Sequence, residues 1–231
     1  MEEYVQAAIG AGLKELVFLE HMEACIVSGN RTWLTESDFE AYEQEGKRLR
    51  DIYCNKISIG LGVECGYNPT GLRELRELLA ARSWDQIGLS CHFLWLADEN
   101  SHLNLFSRRE KNLALARRYH PQELLTRYFD LLLEGVELLP VTKVCHLDGA
   151  LRWLPELQCT AEHYNQIDAL LAAMLAKRVG LEINTSGIPI RGEQFPATPI
   201  LNRARELGIH LILGSDAHRP AEVARHFELF S

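Results

Sequence analysis

The chain of 231 residues has no uninterrupted apolar run of about 20 residues, which leaves no candidate for a membrane-crossing helix. Its opening MEEYVQ lacks the basic-then-apolar order of a signal peptide, so a cytoplasmic protein is expected. Basic charge is also scarce. There are 24 Lys+Arg against 32 Asp+Glu, a net charge of −8. A nucleic-acid-binding domain needs a basic footprint, and this composition does not supply one. A small phosphorylated metabolite, held by two or three local arginines, stays admissible. The six cysteines (Cys25, Cys54, Cys65, Cys91, Cys145 and Cys159) form no C-x-x-C pair. They read as buried, reduced thiols rather than a disulfide framework. No repeat, low-complexity tract or Pro/Gly/Ser-rich linker divides the sequence, so residues 1–231 read as a single domain. Hydrophobic residues at 47% and charged residues at 24% exclude a disordered or collagen-like chain.

What the sequence does contain is an alternation. Short apolar runs at 15–20, 57–64, 86–92, 141–146, 180–184 and 210–216 predict buried strands. Helical patterns lie around them, at 2–12, 36–50, 70–82, 109–118, 121–138, 163–178, 197–207 and 220–229. Gly12 and Gly208 follow helical runs as stop signals. Ser37 or Thr35, Thr160, Pro121 and Pro220 are start signals. Strands joined by crossover helices predict a parallel sheet covered on both faces, as a barrel or a doubly wound sheet.

Each predicted strand runs into a polar residue able to do chemistry. The first ends in Glu20-His21, the second in Glu64, the third in His92 and the fourth in His146. The fifth ends in Asn184-Thr185-Ser186, and the sixth in Asp216 with His218 two residues on. In parallel α/β folds the ligand site lies at the carboxyl ends of the strands, so these residues are expected to converge. Imidazoles with carboxylates suit Zn²⁺, Mn²⁺ or Fe²⁺. Arg152, Arg191 and Arg219 stand near the same rim and can meet phosphate oxygens. His102, His120, His163, His210 and His226 fall on helices, in loops or at a strand start and read as structural.

The segments LEINTSG (181–187) and GSDAHRPAEV (214–223) resemble the histidinol-phosphate phosphatases of the PHP (polymerase and histidinol phosphatase) superfamily. LSCHFL (89–94), CHLDGALRW (145–153), GLGVECGY (60–67) and LEHMEA (19–24) are similar to further segments of that family, in the same order. Glu20 stands where the family has Asp. The resemblance implies a distorted (β/α)₇ TIM-like barrel with a two- or three-metal centre of Zn, Mn or Fe. It implies hydrolysis of L-histidinol phosphate to L-histidinol and phosphate, in histidine biosynthesis. Carried over by position, Glu64, His92, His146, Asp216 and His218 would be metal ligands, and His21 would serve a third metal. Asp216 and His218 would also belong to the catalytic centre. Arg152 and Arg191 would bind the phosphate, and Asp148 would orient its neighbours. Histidinol carries an amine and an imidazole, and among the spare carboxylates of an acidic chain Glu23 is a candidate to meet them.

The resemblance also marks departures. The family opens with a strand carrying H-x-H, and this sequence begins at the following helix; its far end is short as well. The expectation is therefore a PHP-type domain truncated at both ends and lacking its first strand, marginally stable and a poor phosphatase. Two other readings follow from the same departures. One is a PHP hydrolase for another phosphate ester, and the other is a non-catalytic metal- or phosphate-binding remnant.

Overall fold

Short runs of Val, Ile and Leu bury best when strands pair side by side under a cover of helices. In the computed structural model, which describes residues 1–29, 31–154 and 156–230, six such runs do so. They are β1 (Glu15–Glu23), β2 (Ser58–Gly66), β3 (Gln86–Ser90), then β6 (Lys143–Val144), β7 (Gly180–Asn184) and β8 (Leu211–Gly214). Between the third and fourth of these sits an antiparallel hairpin, β4 (Phe93–Leu96) and β5 (Ser101–Asn104). The main sheet is wholly parallel, in the order β1-β2-β3-β6-β7-β8. Each crossover therefore steps one strand in the same direction, and the sheet curls into a half-barrel of the TIM-like kind. β1 and β8 form no pair with each other, and a cleft of ≈470 Å³ lined by both lies between them.

The helices are α1 (Glu2–Gly10), α2 (Glu36–Tyr53), α3 (Leu72–Ala80), α4 (Glu110–Ala116), α5 (Pro121–Leu138), α6 (Ala161–Lys177), α7 (Ile188–Arg191) and α8 (Thr198–Glu206). Local signals set their ends. Thr35 caps α2: its hydroxyl accepts from Asp38 N–H (3.1 Å) while Asp38 Oδ2 accepts from Thr35 N–H (2.7 Å). Of the two expected caps, Thr35 is the one used. Pro121 opens α5, and Gly12 and Gly208 follow α1 and α8 at φ +77° and +74°. The convex side of the sheet makes the core. Leu61, Val63, Leu89, Val144 and Leu181 are buried together with Tyr42 and Leu49 of α2, Leu132 and Val136 of α5, and Leu170, Leu171 and Met174 of α6. Each large apolar side chain so buried contributes about 1.5–3 kcal/mol.

Several expectations need correction. The region 220–229 is not a helix but two single 3₁₀ turns, Pro220–Glu222 and Phe227–Leu229. Ala224 and His226 take positive φ, which breaks helical continuity, and Arg225 ties the segment to the carbonyls of Ser215 and Asp216. The run 141–146 pairs as a strand at Lys143–Val144 alone, because the backbone turns out of the sheet at His146. The β4–β5 hairpin and α7 were not expected. The thiols are all free, but Cys25 and Cys54 are exposed rather than buried.

Among the strand glycines the closest approach to a backbone atom is at Gly62, where an added Cβ would stand 2.6 Å from the carbonyl oxygen of Gln86. A backbone oxygen in a ladder cannot swing away as a side chain can. Gly62→Ala is expected to lower stability by about 1–3 kcal/mol. Urea unfolding checks this, and a midpoint equal to that of the parent chain would contradict it.

Candidate metal centre and cleft

Strand register brings the first donors level. His21 pairs with Glu64, and Glu64 with Gly88, across adjacent parallel strands. His92 lies two residues beyond β3 and His146 two beyond β6, so both rings turn over the sheet's carboxyl edge. Glu64 Oε1 is the meeting point, 3.0 Å from His92 Nε2 and 2.9 Å from His146 Nε2. Donor atoms of His21, Glu64 and His92 all lie within 4.8 Å of one another. The ring of His21 packs edge-on to that of His92, with centroids 4.9 Å apart.

Glu23 is placed differently from expectation. It is buried, and its Oε1 lies 2.8 Å from His92 Nδ1. It therefore orients a metal-side imidazole and does not face the cleft as a partner for an amine. The room for it comes from Gly66 on the paired strand, where a Cβ would overlap the Glu23 carboxylate.

The electrostatics follow from this packing. Burial lowers His21 to about 4, which keeps its imidazole neutral and able to ligate. Burial alone would lower His92 too, but hydrogen bonds to Glu23 and Glu64 outweigh it and push the ring up to about 10. Glu64 is held well below the usual carboxylate range: burial opposes ionisation, and His146, with hydrogen bonds from His146 and His92, overcomes it.

Asp216 and His218 stand on the other side of His21. The His21 and His218 rings are 6.3 Å apart. Asp216 Oδ2 accepts from Arg152 Nη2 at 3.2 Å and lies 3.1 Å from Ser186 Oγ. Burial would raise Asp216, and the Arg152 guanidinium and His146 hold it below its ordinary value instead. His146 and Asp216 both sit at positive φ, +27° and +47°, each at a cost of order 1–3 kcal/mol that persists where surrounding contacts over-determine it.

A cleft of ≈750 Å³ opens above, lined by His21, His92, His146, Arg152, Asp216 and His218 on its floor. Its outer wall is the β4–β5 hairpin and α4, with Asn104, Phe106, Arg109 and Arg118. The hairpin is tied down at His102, whose N–H donates to Val27 O (2.8 Å) and whose Nδ1 accepts from Val27 N–H (3.0 Å). That fits the structural reading of His102. His163 is structural too, accepting from Thr160 N–H (3.1 Å) at the start of α6.

The two expected phosphate arginines separate. Arg152 stacks on Phe106 and Phe195 and lines the cleft. Arg191 stacks on Phe195 but is engaged by Asp148 (3.2 Å) and Glu193 (3.0 Å), and does not line the cleft. Arg219 is exposed. Sequence reasoning missed Ser186 as a partner of Arg152, and it missed the hairpin wall. The polar turn Ala97-Asp98-Glu99-Asn100 between two apolar runs was the signal for that hairpin.

The chain belongs to the PHP domain family, whose pattern matches residues 1–186. Its relatives carry one activity in their names. The probable histidinol-phosphatase of Deinococcus radiodurans is 26% identical over 237 residues, covering 97% of this chain and 82% of that protein. The crystal structure of histidinol phosphate phosphatase from Lactococcus lactis, complexed with zinc, L-histidinol and phosphate, has a TM-score of 0.78 at 23% identity, covering 99% of this chain and 85% of that one. A Listeria monocytogenes structure named for the same activity has a TM-score of 0.89 at 19% identity, over 100% and 93% of the two chains. At these identities the structural likeness establishes the fold.

A histidine must be neutral to ligate a metal, and without metal His92 holds its proton between two carboxylates. Zinc titrated into the metal-free protein at pH 7 should therefore displace about one proton from this ring. Calorimetry in buffers of different ionisation enthalpy measures it. An apparent binding enthalpy independent of buffer would contradict the assignment.

Proposed function

We propose that this chain is a metal-dependent phosphomonoesterase that hydrolyses L-histidinol phosphate to L-histidinol and phosphate, as one domain spanning 1–231. The observation that carries the reading is the His21–Glu64–His92 donor set, with Glu64 and His92 buried, at the floor of a cleft that also holds Arg152. The names of the relatives point the same way. In this reading it is a cytoplasmic enzyme of histidine biosynthesis. Among the described residues no helix is long and apolar enough to cross a membrane.

The residues fit a divalent metal. Nitrogen and carboxylate donors converge in a buried place, and His146 Nδ1 is left with no hydrogen-bond partner. That mixture suits Zn²⁺, Mn²⁺ or Fe²⁺. Glu64, His92, His146, His21, Asp216 and His218 would hold the metal. When bound, such metals lower the pKa of water and offset charge on phosphoryl oxygens.

The protein's own groups do the rest. Glu23 keeps the His92 ring oriented. Arg152 presents a guanidinium held flat between Phe106 and Phe195, which matches the non-bridging oxygens of a phosphate. His218 Nδ1 donates to the carbonyl of Asp216 at 3.0 Å, which leaves Nε2 with a free lone pair to ligate or to take a proton. Asp148 fixes Arg191 against Phe195, so Arg191 supports the ring on which Arg152 stacks.

A second reading, another phosphate ester, has one observation in its favour. The outer wall carries Arg109, Lys111 and Arg118 against the single acid Glu99, which pairs with Arg118. Such a wall suits an anion better than the ammonium and imidazole of histidinol. Comparing kcat/KM for histidinol phosphate with that for an anionic sugar phosphate separates the two.

The protein loaded with zinc, manganese or iron should release phosphate from histidinol phosphate, and the chelator-treated protein should not. Arg152→Ala should lower kcat/KM by about 10²-fold or more. No turnover with any of the three metals would overturn the function. Unaltered kinetics in Arg152→Ala would move the phosphate site elsewhere.

A further inference from the structure

The concave face of the sheet holds a buried ion pair that none of the steps above uses. Lys143 of β6 and Glu182 of β7 are 3% and 4% exposed. Lys143 Nζ donates to Glu182 Oε1 at 2.9 Å. The other carboxylate oxygen, Oε2, accepts twice more, from the His146 backbone N–H (3.1 Å) and from Asn184 Nδ2 (2.8 Å). β8 leaves space for this group, because a Cβ at Gly214 would overlap the Glu182 carboxylate.

His146 is where support is needed. β6 pairs over two residues, and the chain then turns out of the sheet with His146 at φ +27°. A side chain other than glycine's enters that region at a steric cost, and holds it where neighbours over-determine the backbone. Two contacts do so here: Gly149 N–H donates to His146 O at 2.6 Å, and Glu182 accepts the His146 N–H. With its backbone fixed, the ring reaches Glu64.

The same carboxylate connects to the far side of the cleft. Asn184 Oδ1 accepts from Ser186 N–H (3.0 Å) and from its hydroxyl (2.5 Å). Ser186 Oγ in turn accepts from Arg152 Nη2 at 3.1 Å and lies 3.1 Å from Asp216 Oδ2. One buried group thus touches the backbone of a metal-side histidine and, through two polar side chains, the Asp216–Arg152 pair.

We propose that Glu182 is a positioning residue: it fixes the His146 backbone beneath the metal centre and, through Asn184 and Ser186, aims Asp216 and Arg152 into the same cleft. The inference rests on reading His146 as a metal-side residue, and its test uses zinc alone, with no substrate. Removing Glu182 by itself would strand the Lys143 charge, so the two change together. Lys143→Met with Glu182→Leu leaves no buried charge and no acceptor for His146 N–H, and replacing a buried pair by apolar groups is often tolerated. Zinc affinity of this folded double variant should fall roughly 10–100-fold, the usual effect of losing a group that orients a ligand. Lys143→Met with Glu182→Gln restores one acceptor and should recover most of that loss. Equal zinc affinity in the parent and the Leu-containing variant overturns the proposal, as does a Gln-containing variant no better than the Leu one. The parent protein supplies an independent check if the variants fail to fold. Its His146 amide should be strongly protected from hydrogen exchange, and exchange at the rate of an open loop amide would also overturn the proposal. Failure to hydrolyse histidinol phosphate would leave these zinc and exchange results standing, so the two readings can fail separately.

Discussion

One carboxylate oxygen, Oε1 of Glu64, stands about a hydrogen bond away from two imidazoles at once, His92 and His146. A buried carboxylate is unfavourable unless positive charge or donors surround it. Everything at the carboxyl rim of the sheet answers that requirement. β2 carries Glu64 at the height of His21 on the neighbouring strand, and the chain leaves β3 and β6 so that two more histidines close over it. Glu23 holds His92 from behind. The cluster is a set of imidazole nitrogens gathered round one acid, a donor set that suits a divalent metal.

The rest of the fold serves this arrangement in two ways. Helices on the convex face bury the apolar side chains and leave the concave face free for polar ones. That face is lined by small residues, so that Glu23 and Glu182 can lie flat against the sheet. Above the rim, the β4–β5 hairpin and α4 wall the cleft, while Phe106 and Phe195 hold the Arg152 guanidinium beside Asp216. The donor cluster and the arginine thus share one largely buried floor, where charge–charge attraction is stronger than in bulk water.

The six parallel strands were legible because their apolar runs are continuous and each ends in a polar residue, and the rim residues followed from the rule that such sheets work at their carboxyl ends. The segments LEINTSG and GSDAHRPAEV carried the family. What the periodicity hid has physical causes. His146 and Asp216 take positive φ, a conformation no local pattern signals in a residue other than glycine. The helix expected at 220–229 gave way to tertiary hydrogen bonds from Arg225. Glu23 looked available because its role depends on His92, 69 positions along the chain. Arg191 sits in the expected loop, yet Asp148 and Glu193 draw it away from the cleft.

The metal centre is tested most directly at Glu64. Glu64→Gln keeps the size of the side chain and removes its charge, so His92 and His146 lose the anion that gathers them. Elemental analysis after equilibration with zinc and extensive dialysis measures the outcome directly, with circular dichroism confirming that both proteins are folded. The parent chain should retain bound zinc, and folded Glu64→Gln little or none. Equal zinc content in the two proteins would contradict it.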